Sequence, residues 1–468
     1  MTAVAQRLPG IAAVGGRLSL NLDPFRVSLA LLIIINVSRI HQHFGVLAKL
    51  RPGMTLAALA LVYAFLNPRQ VSLKGVFNTV PARLMLALVL LACVSAPFGL
   101  SLGGSGRYIL ESYSKVIVGA VLLIAAIRNG RDLYTFVWAY VIGCGIIAWL
   151  SIFVFGLSRP VGTLVVRLND LYTYDSNDLG VVMMVGLGLT LLVLHLSRGP
   201  ARLAAVATLI GIGITISRSG SRGALLGAIA TGVALLLLLQ TVPVWKRVAA
   251  IVVTGLALSL AAPSGYWEQM KTLLSPKQDY NWTSQEGRKE VVARGIQYML
   301  TYPLFGLGMN NFWRAECMDQ SFEKVRTRRI GRGLRCTAPH NSYVQAGAEL
   351  GIPGLTLWFL LVFGGVVRML RLRKRLPAAW RRGVPEERFL FEAPQYLAVS
   401  LIGFAVTSFF VSFAWIDIIY ILTALTAGLY VAADRRMRET GNAAPVPAQP
   451  RHQGRRPAGF RSAAVLPK

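Results

Sequence analysis

The chain has 468 residues, of which 54% are hydrophobic and 15% charged, with a formal net charge of +29. Its apolar runs are too long and too frequent for a soluble protein of this length. The positive charge does not indicate nucleic-acid binding: the basic residues sit between apolar segments, as topology signals do, and no DNA- or RNA-binding motif accompanies them. Four cysteines exclude a disulfide scaffold or a Cys-rich metal site.

In chain order, apolar segments fall near 25–38, 53–67, 82–98, 114–127, 133–156, 178–196, 202–217, 223–240, 247–263, 341–370, 395–414 and 416–433. Each must be helical, because hydrocarbon offers backbone N–H and C=O groups no other partner. The fold expected is therefore all-α: a polytopic transmembrane bundle of about twelve helices. Residues 1–24 read as a cytoplasmic segment without a cleavable signal, 25–263 as helices one to nine, and 264–340 as one large, partly helical periplasmic loop. Residues 341–434 read as helices ten to twelve, and 435–468 as a disordered, basic cytoplasmic tail. This orientation puts the most basic connections inside; Arg39, Lys49 and Arg51 dissent. Cys93 and Cys144 lie in apolar runs and read as packing residues.

The long loop contains Trp267, Trp282, Trp313, Tyr266, Tyr280 and Phe312, too aromatic a set for a linker. Loops this long are usually functional. Thr283-Ser284-Gln285-Glu286 reads as a capping box opening a helix to about Thr301, with Val291, Val292, Gly295, Ile296, Met299 and Leu300 as its buried stripe. Cys317 and Cys336 bracket a basic stretch and are a disulfide candidate; two free thiols are the alternative.

Five places carry candidate chemistry. In Ser217-Arg218-Ser219-Gly220-Ser221-Arg222-Gly223-Ala224, two arginines four apart would share a helix face beside the bilayer. An anion between them would offset their repulsion, and Gly220 and Gly223 would let backbone N–H groups approach it. The plainer reading is two snorkelling arginines with small packing residues. Arg288, early in the loop helix among mixed charges, is by itself a solvated helix residue. In Pro339-His340-Asn341-Ser342-Tyr343, Asn341 or Ser342 caps the tenth helix. His340 then sits at a helix N-terminus, which favours the neutral imidazole a general base requires; a capping-region histidine is the alternative. Glu349-Leu350-Gly351-Ile352-Pro353-Gly354 should kink that helix, whose run of roughly 45 Å exceeds a bilayer core. Glu349 is either an arginine partner or structural. Asp175, Asn177 and Asp178 precede the sixth helix as a cap, with a sugar hydroxyl or an arginine as the functional alternative. No P-loop, His-Glu-x-x-His, Cys-x-x-Cys or Asp-x-Asp motif is present, so neither cofactor nor metal is expected. An activated donor whose diphosphate leaves against arginines suits this inventory.

Together these residues resemble the O-antigen ligase and O-antigen polymerase family of membrane glycosyltransferases. Three motifs carry the resemblance: Ser221-Arg222-Gly223-Ala224; Gly287-Arg288 followed by Tyr302-Pro303-Leu304-Phe305-Gly306-Leu307-Gly308; and Pro339-His340-Asn341-Ser342-Tyr343 followed by Glu349 to Gly354. The resemblance implies an undecaprenyl-diphosphate-linked glycan donor, a glycan or lipid A-core acceptor, and a metal-independent, inverting transfer at the periplasmic face of the bacterial inner membrane. It implies that Arg222 and Arg288 hold the diphosphate and that His340 takes or orients the acceptor proton. Arg218, Asn341, Tyr343, Glu349, Asp175, Asn177 and Asp178 are expected around the substrate. The basic stretch Lys324–Arg335 exceeds what the family pattern needs and is assigned to an anionic glycan or lipid headgroup. Protein glycosylation remains a further acceptor option. Outside this class stand a transporter or flippase of a lipid-linked saccharide, which would show internal repeats, and a purely structural membrane subunit.

Overall fold

A computed structural model describes residues 18–159, 165–169, 171–275, 277, 279, 282, 284, 287–317 and 336–441. All twelve apolar segments are helical. They are α1 (Pro24–Ser38), α2 (Pro52–Leu66), α3 (Val80–Ser95), α4 (Leu102–Ala126, with a π-turn at Ile109–Tyr113), α5 (Gly130–Phe153), α6 (Asp178–Leu196), α7 (Pro200–Ser219), α8 (Arg222–Leu238) and α9 (Val244–Leu260). The loop helix is α10 (Arg288–Thr301), and α11 (Ser342–Arg375), α12 (Pro385–Thr407) and α13 (Asp417–Gly441) complete the bundle. Among the described residues, eight helices are long and apolar enough to cross a membrane, and a ninth span exists if the bent pair beginning with α2 counts as one. The all-α polytopic bundle is as expected, and its short members are α1 and α8, apolar but only 15 and 17 residues long. A helix rises ~1.5 Å per residue, so these two cover less than a ~30 Å hydrocarbon core unaided. The chain is a multi-pass membrane protein.

The most enclosed helices are α6, α12 and α13. Small residues let them approach closely, as membrane helix packing favours. A Cβ on Gly180 would lie 2.6 Å from the Ala224 methyl, and one on Gly188 would collide with Ser400. The Ser400 hydroxyl instead donates across the α6–α12 interface to the Val185 carbonyl at 2.9 Å.

The dissenting Arg39 has a physical explanation. Its guanidinium meets both oxygens of buried Asp417 at 3.1 Å and covers the Tyr174 ring, so it is an internal ion pair and not a topology signal. Cys144 is buried as expected, whereas Cys93 is exposed on the outside of α3. A two-residue antiparallel hairpin, β1 (Leu157–Ser158) and β2 (Arg167–Leu168), lies in the connection between α5 and α6.

The long loop folds back onto α11. Helix α10 runs to Thr301 as expected but begins at Arg288, with Gly287 as its N-cap; of the anticipated capping box, residues 283, 285 and 286 lie outside the described residues. Its buried face is Val291, Gly295 and Tyr298; Ile296 and Leu300 point outward, a correction to the expected stripe. The register differs because Tyr298 donates a hydrogen bond to buried Glu316 at 2.6 Å, and Arg294 grips the same carboxylate through Nε and a terminal nitrogen. Cys317 and Cys336 are disulfide-bonded. Lys324–Arg335 and most of the C-terminal tail lie outside the described residues.

Candidate active site at the loop end of the bundle

Helix α11 is broken where its sequence predicts. Gly351 has φ 70°, outside helical space, so the turn before it cannot complete its hydrogen bonds within the helix. The freed carbonyls are taken by the Tyr302–Gly308 motif. Leu307 N–H donates to Ala348 O at 2.8 Å and Gly308 N–H to Glu349 O at 2.9 Å, while Ile352 N–H donates back to Pro303 O at 2.8 Å. A Cβ on Gly306 would lie 2.5 Å from the Glu349 backbone, which explains the glycine. These two motifs therefore form a docking joint that fixes the loop on the bundle.

Glu349 belongs to this joint. Its carboxylate accepts from Asn310 N–H at 2.7 Å, Trp415 Nε1–H at 2.6 Å and Phe312 N–H at 3.3 Å. It is fully enclosed, and among the described residues its side chain is held by these three donors, the structural one of the two readings offered for it. Tyr343 is likewise internal: its hydroxyl donates to Ala405 O at 2.8 Å and its ring stacks on Phe409. Asn341 caps α11, its side-chain oxygen accepting from Tyr343 and Val344 N–H. The polar atoms expected to touch substrate at these three positions are thus engaged in holding the fold.

The stretch Ser217–Ala224 is not one helix. Gly220 adopts φ 59° and ends α7; Ser221 then caps α8 through Ala224 N–H. Arg218 and Arg222 therefore lie in different helices, α7 and α8, and the condition under which they would share a face is not met. The glycines serve packing: a Cβ on Gly220 would crowd Val165 and Arg167, and one on Gly223 would enter the Phe410 ring at 2.7 Å. Arg222, the first residue of α8, donates to Asp279 at 2.6 Å and to the Thr272 hydroxyl at 2.7 Å.

Arg288, the first residue of α10, donates to the Phe410 carbonyl at 3.4 Å. Burial lowers its pKa from the ordinary arginine value. Asp175 opposes that shift, Arg222 and Arg167 add to it, and Asp279 opposes it. The group remains cationic at any physiological pH. Asp175 reaches this cluster from the cap of α6, where Oδ1 accepts from Asn177 and Asp178 N–H, and Asp178 returns a bond from Asp175 N–H. The helix N-cap itself is Asn177, whose side chain makes no capping bond, and Asp175 serves the start of α6 from two residues upstream.

His340 has φ 45°, a left-handed conformation uncommon for a residue with a Cβ, and its N–H donates to the Ser412 hydroxyl at 3.0 Å. Ser342 adjoins the same strand of chain, donating to Val411 O and accepting from Phe413 N–H. One connector, Ser408–Trp415 between α12 and α13, thus touches α8 at Gly223, α10 through Arg288, and the α11 cap through His340. Arg222 is in turn an electrostatic neighbour of Arg288. Sequence reasoning missed this connector, and also Asp279, Thr272 and Arg167. Arg288 and the backbone of the His340 turn thus lean on neighbouring residues of one connector, with Arg222 close by, at one end of the bundle.

Residues 204–359 match the family model described as O-antigen ligase. This part of the chain, about a third of its length, is similar to the O-antigen ligase family. No curated protein matches the chain. The ligase-family segment runs from within α7 to within α11 and includes Arg218, Arg222, Arg288 and His340. Asp175 and the Ser408–Trp415 connector lie outside it, so the candidate site draws on helices beyond the matched segment.

Proposed function

We propose that the chain transfers a glycan from an undecaprenyl-diphosphate carrier to an acceptor hydroxyl, without a metal and with inversion, at the periplasmic face of a bacterial inner membrane. The observation that carries this reading is the meeting of Arg222, Arg288 and the His340 turn around Phe410–Ser412. In the reaction, the acceptor oxygen bonds to the anomeric carbon as the carbon–oxygen bond to the diphosphate breaks on the opposite face. His340 accepts or orients the hydroxyl proton, and the two guanidinium groups take up the charge on the departing carrier diphosphate. Arg222 would exchange its Asp279 partner for the diphosphate. Ligation to lipid A-core and polymerisation of repeat units share this donor chemistry and differ only in the acceptor.

Arg222→Ala or Arg288→Ala should each remove ~2–4 kcal/mol of transition-state stabilisation, roughly a hundredfold or more in rate; His340→Gln should also abolish detectable transfer. The measurement is a surface-polysaccharide gel at matched expression. Lost ligation leaves glycan on its carrier, and lost polymerisation leaves a single repeat on the acceptor. Wild-type banding in all three variants would sink the assignment.

A further inference from the structure

A second feature lies at the other end of the bundle. Helix α6 carries the Asp175 cap at one end and His195 at the other, roughly 28 Å apart for 19 helical residues. Beside His195 opens a cavity of about 1040 Å³, walled by α5, the α6–α7 turn and the start of α12. It is large by the measure of sites that enclose a drug-sized ligand, ~300–1,000 Å³.

Its chemistry divides into two zones. At the mouth stand Arg198, Arg202, Arg381 and Arg388. Among the described residues none of the four meets an ion-pair partner, and the Arg388 Nε is buried with no hydrogen-bond partner there. The one carboxylate in the lining, Glu392, is buried and accepts from the Thr241 hydroxyl at 2.9 Å. Below the arginines run Tyr134, Trp138 and Ile142, spaced by four along α5 and so on one face, descending about 12 Å into the apolar span. Ile142 is 42% exposed, so this wall is open to what surrounds the helix. An excess of unpaired guanidinium groups above an apolar stripe fits an amphiphile with an anionic head. Residues 1–17 and 442–468 contain arginines and no aspartate or glutamate, so their side chains have the wrong sign to neutralise this mouth.

We propose that this cavity binds an anionic glycerophospholipid of the leaflet opposite the transfer site. Its phosphate sits among the four arginines, and an acyl chain lies along Tyr134, Trp138 and Ile142. The proposal stands independently of the transferase reading.

The test is native mass spectrometry of the full-length chain in detergent, offered equal amounts of phosphatidylglycerol and phosphatidylcholine. Phosphatidylglycerol adducts should dominate for the wild type. They should fall roughly fivefold in Arg202→Gln and in Arg388→Gln, and further in the double variant. Arg288→Ala, at the other end, should leave them unchanged. Equal retention of the two lipids by the wild type would overturn the proposal without reference to any variant. So would undiminished adducts in the double variant, or an equal loss in Arg288→Ala. Displacement of phosphatidylglycerol by equimolar undecaprenyl phosphate would overturn the glycerophospholipid assignment in favour of the carrier lipid.

Discussion

The contact between Arg222 and Asp279 sets a competition at the centre of the site. A carboxylate 2.6 Å from the guanidinium occupies a position that a diphosphate would claim. Both side chains are largely buried, so the pair is weakly screened and its rupture is felt. Asp279→Asn keeps the size and a hydrogen-bond acceptor but removes the charge. Under the transferase reading the donor KM should fall several-fold while kcat changes little, because the substrate no longer displaces an anion. The measurement is in vitro transfer at varied donor concentration; an unchanged or raised KM would mean that Asp279 does not compete. Nothing in the sequence marks Asp279. It stands in a stretch without periodicity, and a single acidic residue in a long loop gives no spacing to read. Arg222, Arg288 and His340 were legible only as parts of motifs, since each alone has an ordinary structural explanation. Glu349 shows the converse. Its position in a motif suggested substrate, but a carboxylate within reach of two backbone N–H groups and an indole is used by the fold.

At the level of elements, hydrocarbon made the helices readable and glycine made the breaks readable, although not their consequences. Gly351 announced a kink; that the kink exposes carbonyls for the Tyr302–Gly308 turn requires knowing that the two meet. Gly220 reads as a small packing residue inside a polar helical stretch, and its left-handed φ ends α7 and puts Arg218 and Arg222 in different helices. The Ser408–Trp415 connector was invisible because Phe409, Phe410, Val411, Phe413 and Ala414 continue the apolar composition of α12. The disulfide belongs to this scale. It closes a 19-residue separation next to Glu316, the residue that Arg294 and Tyr298 grip. A cross-link over a loop of about this size stabilises by up to ~3 kcal/mol. Reduction, or Cys317→Ser, should therefore speed limited proteolysis of the loop by roughly tenfold or more. A cleavage rate indifferent to reductant would show that the joint on α11 holds the loop alone.

For the whole molecule, both ends of the bundle hold ion pairs, Arg222–Asp279 and Arg39–Asp417 at one, Arg26–Asp132 and Arg436–Glu387 at the other. The arginines that line the cavity stand apart from those pairs, without ion-pair partners among the described residues. Under the orientation proposed above, the cavity end faces the cytoplasm, as positive-inside bias favours. With Cys93 replaced by serine, a cysteine at exposed Leu274 should react with an impermeant maleimide on cells with a permeabilised outer membrane. A cysteine at Arg382 should react only after the inner membrane is opened. The reverse pattern would invert the orientation and remove the periplasmic assignment.

The connector between α12 and α13 carries a practical lesson about where the candidate site ends. A fragment trimmed to the matched residues 204–359 would retain both guanidinium groups and the imidazole. It would discard the Phe410 carbonyl, the Ser412 hydroxyl and the Asp175 cap on which they lean. Such a truncated chain would keep every residue a motif search prizes and still lack the backbone that aims them.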